Sequence, residues 1–225
     1  TSHAGVIDRR GMFAPMVRDA ADLPRVEVDP VIDPHDGERA KAWYKDSSVQ
    51  PLDYGADLPA YVRLLRDTIA SVQPASVLEF GCNGGRNLNV LRPVLPAARL
   101  VGYDLNPKAI AWGKERFPGL DLQVADERTL PQLADDTFDV TFTVSVLDHM
   151  HRLGDIARTL LRITSGYLVL VEIVHERTGR ITKMTNAAGQ LVDGYPFSYF
   201  HDYRALFERE LGCLCVADCY APVAK

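Results

Sequence analysis

Apolar positions along this chain fall into helical and strand-like periods in alternation from about residue 57 onward. Leu58, Tyr61, Val62, Leu65, Ile69 and Val72 recur at three- and four-residue steps, which places them on one face of a helix over residues 57–72. Pro74 stops that helix. A short apolar run at 76–80 predicts a first strand, and 81–85 is a glycine-rich turn. Residues 86–95 read as a short helix limited by Pro93 and Pro96. A second strand follows at 99–103. Asn106 is a good N-cap and Pro107 suits the first helical position, so 107–117 is predicted helical. Strands are predicted at 120–125 and at 138–146, the latter rich in β-branched residues. Residues 151–163 carry Leu153, Ile156, Ala157 and Leu160 on one helical face. A fifth strand at 166–174, a helix at 202–211 and a last strand at 213–220 complete the series.

Strands alternating with helices predict an α/β fold, a mostly parallel sheet covered by helices on both faces. Two regions stand outside the alternation. Residues 1–56 hold Pro15, Pro24, Pro30, Pro34 and Pro51, with a short helix at 37–45, and read as an N-terminal arm or lid. The domain proper is then 57–225. Within it, residues 176–199 carry Gly179, Gly189, Gly194 and Pro196 and read as an insertion or long loop, a common place for function.

The 225 residues suffice for one such domain. The net charge is −5 and the 25 basic residues are scattered. That argues against a nucleic-acid backbone as partner and for a small molecule. No apolar run reaches the ~18–20 residues of a bilayer span; the longest, 166–174, contains Glu172. Residues 1–10 are polar and no signal-like apolar stretch follows, so the expectation is a cytoplasmic protein without a membrane partner. Cys213, Cys215 and Cys219 share parity in the last predicted strand. Neighbours on one strand face sit about 6.5–7 Å apart, too far to bridge readily, so they are expected to be small core residues in a reducing compartment. No spacing suggests a metal site.

The chemistry centres on residues 77–86, Val-Leu-Glu-Phe-Gly-Cys-Asn-Gly-Gly-Arg. A glycine turn between a parallel strand and a helix lets ligand approach the backbone. A dinucleotide fingerprint requires Gly at 81, 83 and 86; positions 83 and 86 are Asn and Arg, so it fails. Asp104, at the end of the second strand and ~20 residues past the glycines, is placed to accept from both hydroxyls of a ribose. Asp126 and Glu127 follow the third strand.

In combination these segments resemble the class I S-adenosylmethionine-dependent methyltransferases. Glu79, Gly81 and Gly85 match the family's first motif, with Asn83 in place of its central glycine. Asn is the residue that best tolerates φ > 0 after glycine. Gly102-Tyr-Asp-Leu-Asn-Pro107 is similar to the second-strand segment, and residues 122–127 and 138–150 to the third and fourth. The resemblance implies a Rossmann-like sheet of order 3-2-1-4-5-7-6 and S-adenosyl-L-methionine as cofactor. It implies cofactor contacts from Glu79, Gly81, Cys82, Asn83, Gly85, Asp104, Leu105 against the adenine, Asp126, Glu127 and Ser145. His149 and His151 would lie near the transferred methyl.

A hydroxyl or protonated amine acceptor benefits from a general base. His149 is the first candidate, at the exit of the fourth strand and titrating near neutrality. His201 is the second and His175 the third. Trp43, Tyr44 and Lys45 of the arm, with Tyr199, are candidate substrate-binding residues that close the pocket. The expected function is methyl transfer to a small molecule, such as a specialised metabolite or sugar. The alternatives are an NAD-dependent oxidoreductase and a non-catalytic cofactor-binding protein. The absence of Asn/Asp-Pro-Pro-Tyr/Phe after the fourth strand argues against adenine N6 as acceptor.

Overall fold

A computed structural model describes residues 2–3, 26–30, 33, 35–47, 58–174, 178–185, 190–194, 196–216 and 220–221. In chain order the elements are β1 (Ser2–His3), β2 (Val26–Asp29), α1 (Asp36–Asp46), α2 (Ala60–Ser71), β3 (Ser76–Phe80), α3 (Arg86–Leu91), β4 (Arg99–Asp104), α4 (Pro107–Arg116) and β5 (Asp121–Val124). Then come β6 (Phe138–Val144), α5 (Gly154–Arg162), β7 (Thr164–Ile173), β8 (Gly179–Thr185), β9 (Leu191–Asp193), β10 (Tyr199–Phe200) and β11 (Tyr220–Ala221).

Five parallel strands lie side by side as β7-β6-β3-β4-β5. Counted along the chain, that is the 3-2-1-4-5 core of the expected order. Alternation along β3 splits the interior into two layers. Val77 joins Leu65 and Ile69 of α2, Leu88 and Leu91 of α3, and Ile110 of α4. Leu78 and Phe80 join Ile156 and Leu160 of α5, together with Leu147 and Phe207. Helices therefore cover both faces of the sheet, as the alternating pattern requires. Asn106 caps α4, its side chain accepting from the amides of Lys108 and Ala109, with Pro107 first in the helix.

Three expectations are corrected. The predicted last strand, 213–220, does not form at residues 213–216, and of its described residues Tyr220 alone is in a strand, β11. The edge of β7 is paired with β1 instead, antiparallel, and β11 pairs on the outside of β1. Leu214 is left exposed, as is Cys215, while Cys213 is half-buried; the expectation of one buried cysteine face fails, and Cys219 lies outside the described residues. The insertion is also more than a loop. β10, β8 and β2 form a small antiparallel sheet with β9 paired to β8, so the arm supplies one of its strands. Finally, α3 stops at Leu91: Arg92 still has helical φ and ψ, but Pro93 has no amide hydrogen with which to continue the ladder.

Candidate active site

The turn after β3 has the geometry its residue types permit. Gly81, Asn83 and Gly85 have φ of +78°, +49° and +79°. At Gly81 a β-carbon would come within 2.2 Å of a Val146 methyl carbon, so only glycine fits. The amides of Gly81 and Cys82 both donate to the Tyr103 carbonyl, at 2.7 and 3.0 Å. The next amide, Asn83, donates to Asp104 Oδ2 at 2.7 Å. The amide of Asn106 donates to Asp104 Oδ1 at 2.8 Å. The Asp104 carboxylate is thus squared between the glycine turn and the start of α4. Each oxygen keeps a lone pair for a ligand. Burial raises the carboxyl above its usual range, and these two amides oppose that rise.

The turn forms one wall of a cavity of about 540 Å³, within the size range of small-molecule sites. It opens at the carboxyl ends of β3, β4, β5 and β6, where ligands bind in open α/β sheets. Of the expected cofactor residues, Gly81, Cys82, Asn83, Asp104, Leu105, Asp126, Glu127 and Ser145 line it. Glu79 and Gly85 are not in the lining. Glu79 is buried beneath the turn, where Oε1 accepts from Asn87 Nδ2 at 2.6 Å and burial pushes the carboxyl up to about 8. Asp126 shapes its own turn by accepting from the Arg128 amide at 2.9 Å. Ser145 has φ +49°, an uncommon conformation for a residue that is neither Gly nor Asn. Such conformations concentrate at functional sites.

The arm helix α1 roofs the cavity. Lys41 is ion-paired with Glu127, and Arg128 with Glu38 at 3.2 Å. Asn106 Nδ2 donates to the Ser47 and Tyr44 carbonyls at 3.1 and 3.3 Å. At the other end of α1 the buried Asp36 accepts from Tyr199 at 2.9 Å and Arg39 at 2.6 Å. Among the four candidate substrate residues, Tyr44 lines the cavity. Trp43 and Lys45 point outward, Trp43 being 43% exposed. Tyr199 is fully buried, spending its hydroxyl on Asp36.

His149 also lines the cavity. Its Nδ1 is 2.6 Å from the Tyr44 hydroxyl and 3.3 Å from Ser198 Oγ. Burial lowers the imidazole's affinity for a proton, and the Glu172 carboxylate partly restores it. His201 is outside the cavity. Its Nε2 pairs with the Met150 carbonyl at 2.8 Å, and burial pulls it down to about 4. His175 lies outside the described residues.

Sequence reasoning missed the roofing role of Lys41 and Glu38, whose signal was their three-residue spacing on the arm helix. His151, expected near the transferred methyl, lines the cavity beyond His149, and so does Arg152, which sequence reasoning missed. Among the described residues no group of three His, Cys, Asp or Glu could hold a metal ion. No helix among them is long and apolar enough to cross a membrane.

Residues 78–166 match a family model described as a methyltransferase domain. The trans-aconitate 2-methyltransferase of Methylobacterium nodulans is 31% identical over 106 residues, covering 45% of this chain and 40% of that protein. The chain thus matches well under half the length of this curated relative. Two crystal structures of the plantazolicin methyltransferase BpumL, with SAH and either a pentazolic or a triazolic desmethylPZN analogue, share the fold. Each has a TM-score of 0.50 and 19% identity, covering 62% of this chain and 58% of the other. Residues 78–166, which hold the glycine turn, Asp104 at the end of the second parallel strand and most of the parallel 3-2-1-4-5 core, are thus similar to a methyltransferase domain of the class I S-adenosylmethionine-dependent kind.

Proposed function

We propose that this chain transfers the methyl group of S-adenosyl-L-methionine to a small-molecule acceptor, a specialised metabolite, sugar or small acid. The observation that carries the reading is the Asp104 carboxylate, held at the cavity wall by the amides of Asn83 and Asn106. Asp104 would accept from the two ribose hydroxyls, with Leu105 against the adenine and Asp126 near its amino group. Gly81 and Ser145 would flank the amino-acid portion. Glu79 supports the turn through Asn87 rather than touching the cofactor.

The bound cofactor supplies an activated methyl, so the protein's task is positioning and proton removal. The roof made by α1 excludes water from that space. Tyr44 and His149 face it as a hydrogen-bonded pair and take up the acceptor's proton. Arg152 at the same rim offers a cation to an acceptor with negative charge, and the neutral His151 beside it a hydrogen-bonding ring, in keeping with the name of the trans-aconitate relative. The same reading puts the enzyme in the cytoplasm, where Cys82, Cys213 and Cys215 remain free thiols.

The test is turnover. Methyl-labelled S-adenosylmethionine, incubated with the chain and a panel of small carboxylates, phenols and sugars, should yield a labelled product and S-adenosylhomocysteine. Binding of cofactor without turnover on any acceptor class would reduce the chain to a cofactor-binding protein.

A further inference from the structure

We infer that Asp148 and Glu172 form a buried carboxyl pair that positions His149 and stabilises its cation, with Tyr44 linking that histidine to the acceptor. The inference rests on the methyl-transfer reading above and assigns the proton's path within it.

Glu172 interrupts an apolar strand and is 1% exposed. Its Oε1 accepts from Thr143 Oγ1 at 2.6 Å. Its two oxygens accept from the Val146 amide at 3.3 and 3.2 Å, and Oε2 from the Asp148 amide at 3.3 Å. All these donors belong to β6 or to the turn that carries His149. One carboxylate would satisfy that turn. The chain places a second there, Asp148, also 1% exposed. Asp148 Oδ1 has no hydrogen-bond partner among the described residues, yet it lies 3.9 Å from His149 Nε2.

Two carboxyls buried side by side do not both ionise readily. Burial raises both, and the Asp148 charge raises Glu172 further. The pair therefore gives up its protons at higher pH than exposed carboxyls would, and the first ionisation supplies one negative charge beside His149. The groups that face the pair are Thr143 from β6, Tyr44 from α1, Tyr203 just before the helical segment Ala205–Glu210, and His149 itself. Tyr203 has a buried hydroxyl without a hydrogen-bond partner among the described residues. His149 is the one group of these four that becomes a cation.

The geometry then sets a direction. The Tyr44 hydroxyl is 2.6 Å from Nδ1 and 3.2 Å from the Pro196 carbonyl; we place its hydrogen in the shorter contact, to Nδ1, which leaves the ring hydrogen on Nε2, toward Asp148. The bound cofactor would supply the methyl to an acceptor hydroxyl or amine and would keep the electron pair of the broken sulfur–methyl bond, so the proton is what this chain's residues must take up. The acceptor's proton passes to the Tyr44 oxygen while the Tyr44 proton passes to Nδ1. Tyr44 ends unchanged and His149 ends as imidazolium, balanced by the single charge of the pair. Asp148 and Glu172 are positioning residues; they touch neither acceptor nor cofactor, and neither lines the cavity.

The experiment is an NMR titration of ¹⁵N-histidine-labelled chain, with His149→Gln used to assign the ring signals. In the wild type, neutral His149 should carry its hydrogen on Nε2; a ring hydrogen on Nδ1 overturns the proposal. In Asp148→Asn and in Glu172→Gln the His149 titration should move down by about one pH unit. Glu172→Gln serves as the second variant should Asp148→Asn not fold. A midpoint unmoved in the folded variants leaves the carboxyls a structural role alone and overturns the proposal. S-adenosylhomocysteine affinity, read by calorimetry, should stay within about twofold of wild type in Asp148→Asn. Failure of the wild type to bind it would defeat the methyl-transfer reading, while the titration still decides the coupling.

Discussion

Asn106 caps one element and ties down another: its Oδ1 accepts from the amides of Lys108 and Ala109, and its Nδ2 donates to the Ser47 carbonyl at 3.1 Å. The N-terminus of α4 and the C-terminal end of α1 are thereby joined through one side chain. Asn106→Asp retains the cap and loses the donor. Hydrogen exchange of residues 36–47 should then accelerate while α4 keeps its protection. Asn106→Ala loses both and should cost about 1 kcal/mol more in global stability. Equal protection of α1 in wild type and Asn106→Asp would show that the roof is held by other contacts.

Gly81→Ala tests the close approach of the turn to Val146. The new methyl meets the Val146 side chain at 2.2 Å and sits at φ +78°. Overpacking of this kind costs about 1–3 kcal/mol. The urea midpoint should fall accordingly, and the double variant Gly81→Ala/Val146→Ala should recover part of the loss. A double variant no more stable than Gly81→Ala would place the strain in the backbone dihedral alone.

Glu79 gives a pH signature. Its carboxyl is raised by burial from 4.5 to about 8. Between those values the folded chain holds a proton that the unfolded chain releases, so this group's contribution falls as pH rises and is flat above about pH 8. Glu79→Gln preserves an acceptor for Asn87 Nδ2 and removes the titration. The stability of Glu79→Gln relative to wild type should therefore climb between pH 5 and 8, by roughly 2–5 kcal/mol. Denaturant melts at several pH values measure it; a difference independent of pH contradicts it.

Much of the sheet and of the cofactor side was legible in the residues, because the signals there are local. The cap at Asn106, the period of 57–72 and the left-handed Asn83 each depend on a few neighbouring positions. What escaped notice depends on pairing between distant segments. β2 meets β8 across about 150 residues of chain, and nothing local in either segment announces that pairing. The 213–220 segment has strand composition, but β1 already occupies the edge it would use. Glu172 was visible only as an interruption of an apolar run; its partner Asp148 lies 24 positions earlier, brought close by the parallel pairing of β6 and β7. Tyr199 looked like a pocket residue because its neighbours are aromatic, yet the buried Asp36 of the arm claims its hydroxyl.

The central claim is that the cavity beside Asp104 takes S-adenosylmethionine, and calorimetry with S-adenosylhomocysteine tests it most directly. Hydrogen bonds to a charged carboxylate are worth about 1.5–3 kcal/mol each, so losing two of them in Asp104→Ala should weaken binding by at least about 150-fold while the folded-state spectrum is kept. Unchanged affinity in that variant, or a wild type that ignores S-adenosylhomocysteine and binds a nicotinamide dinucleotide instead, would contradict the account.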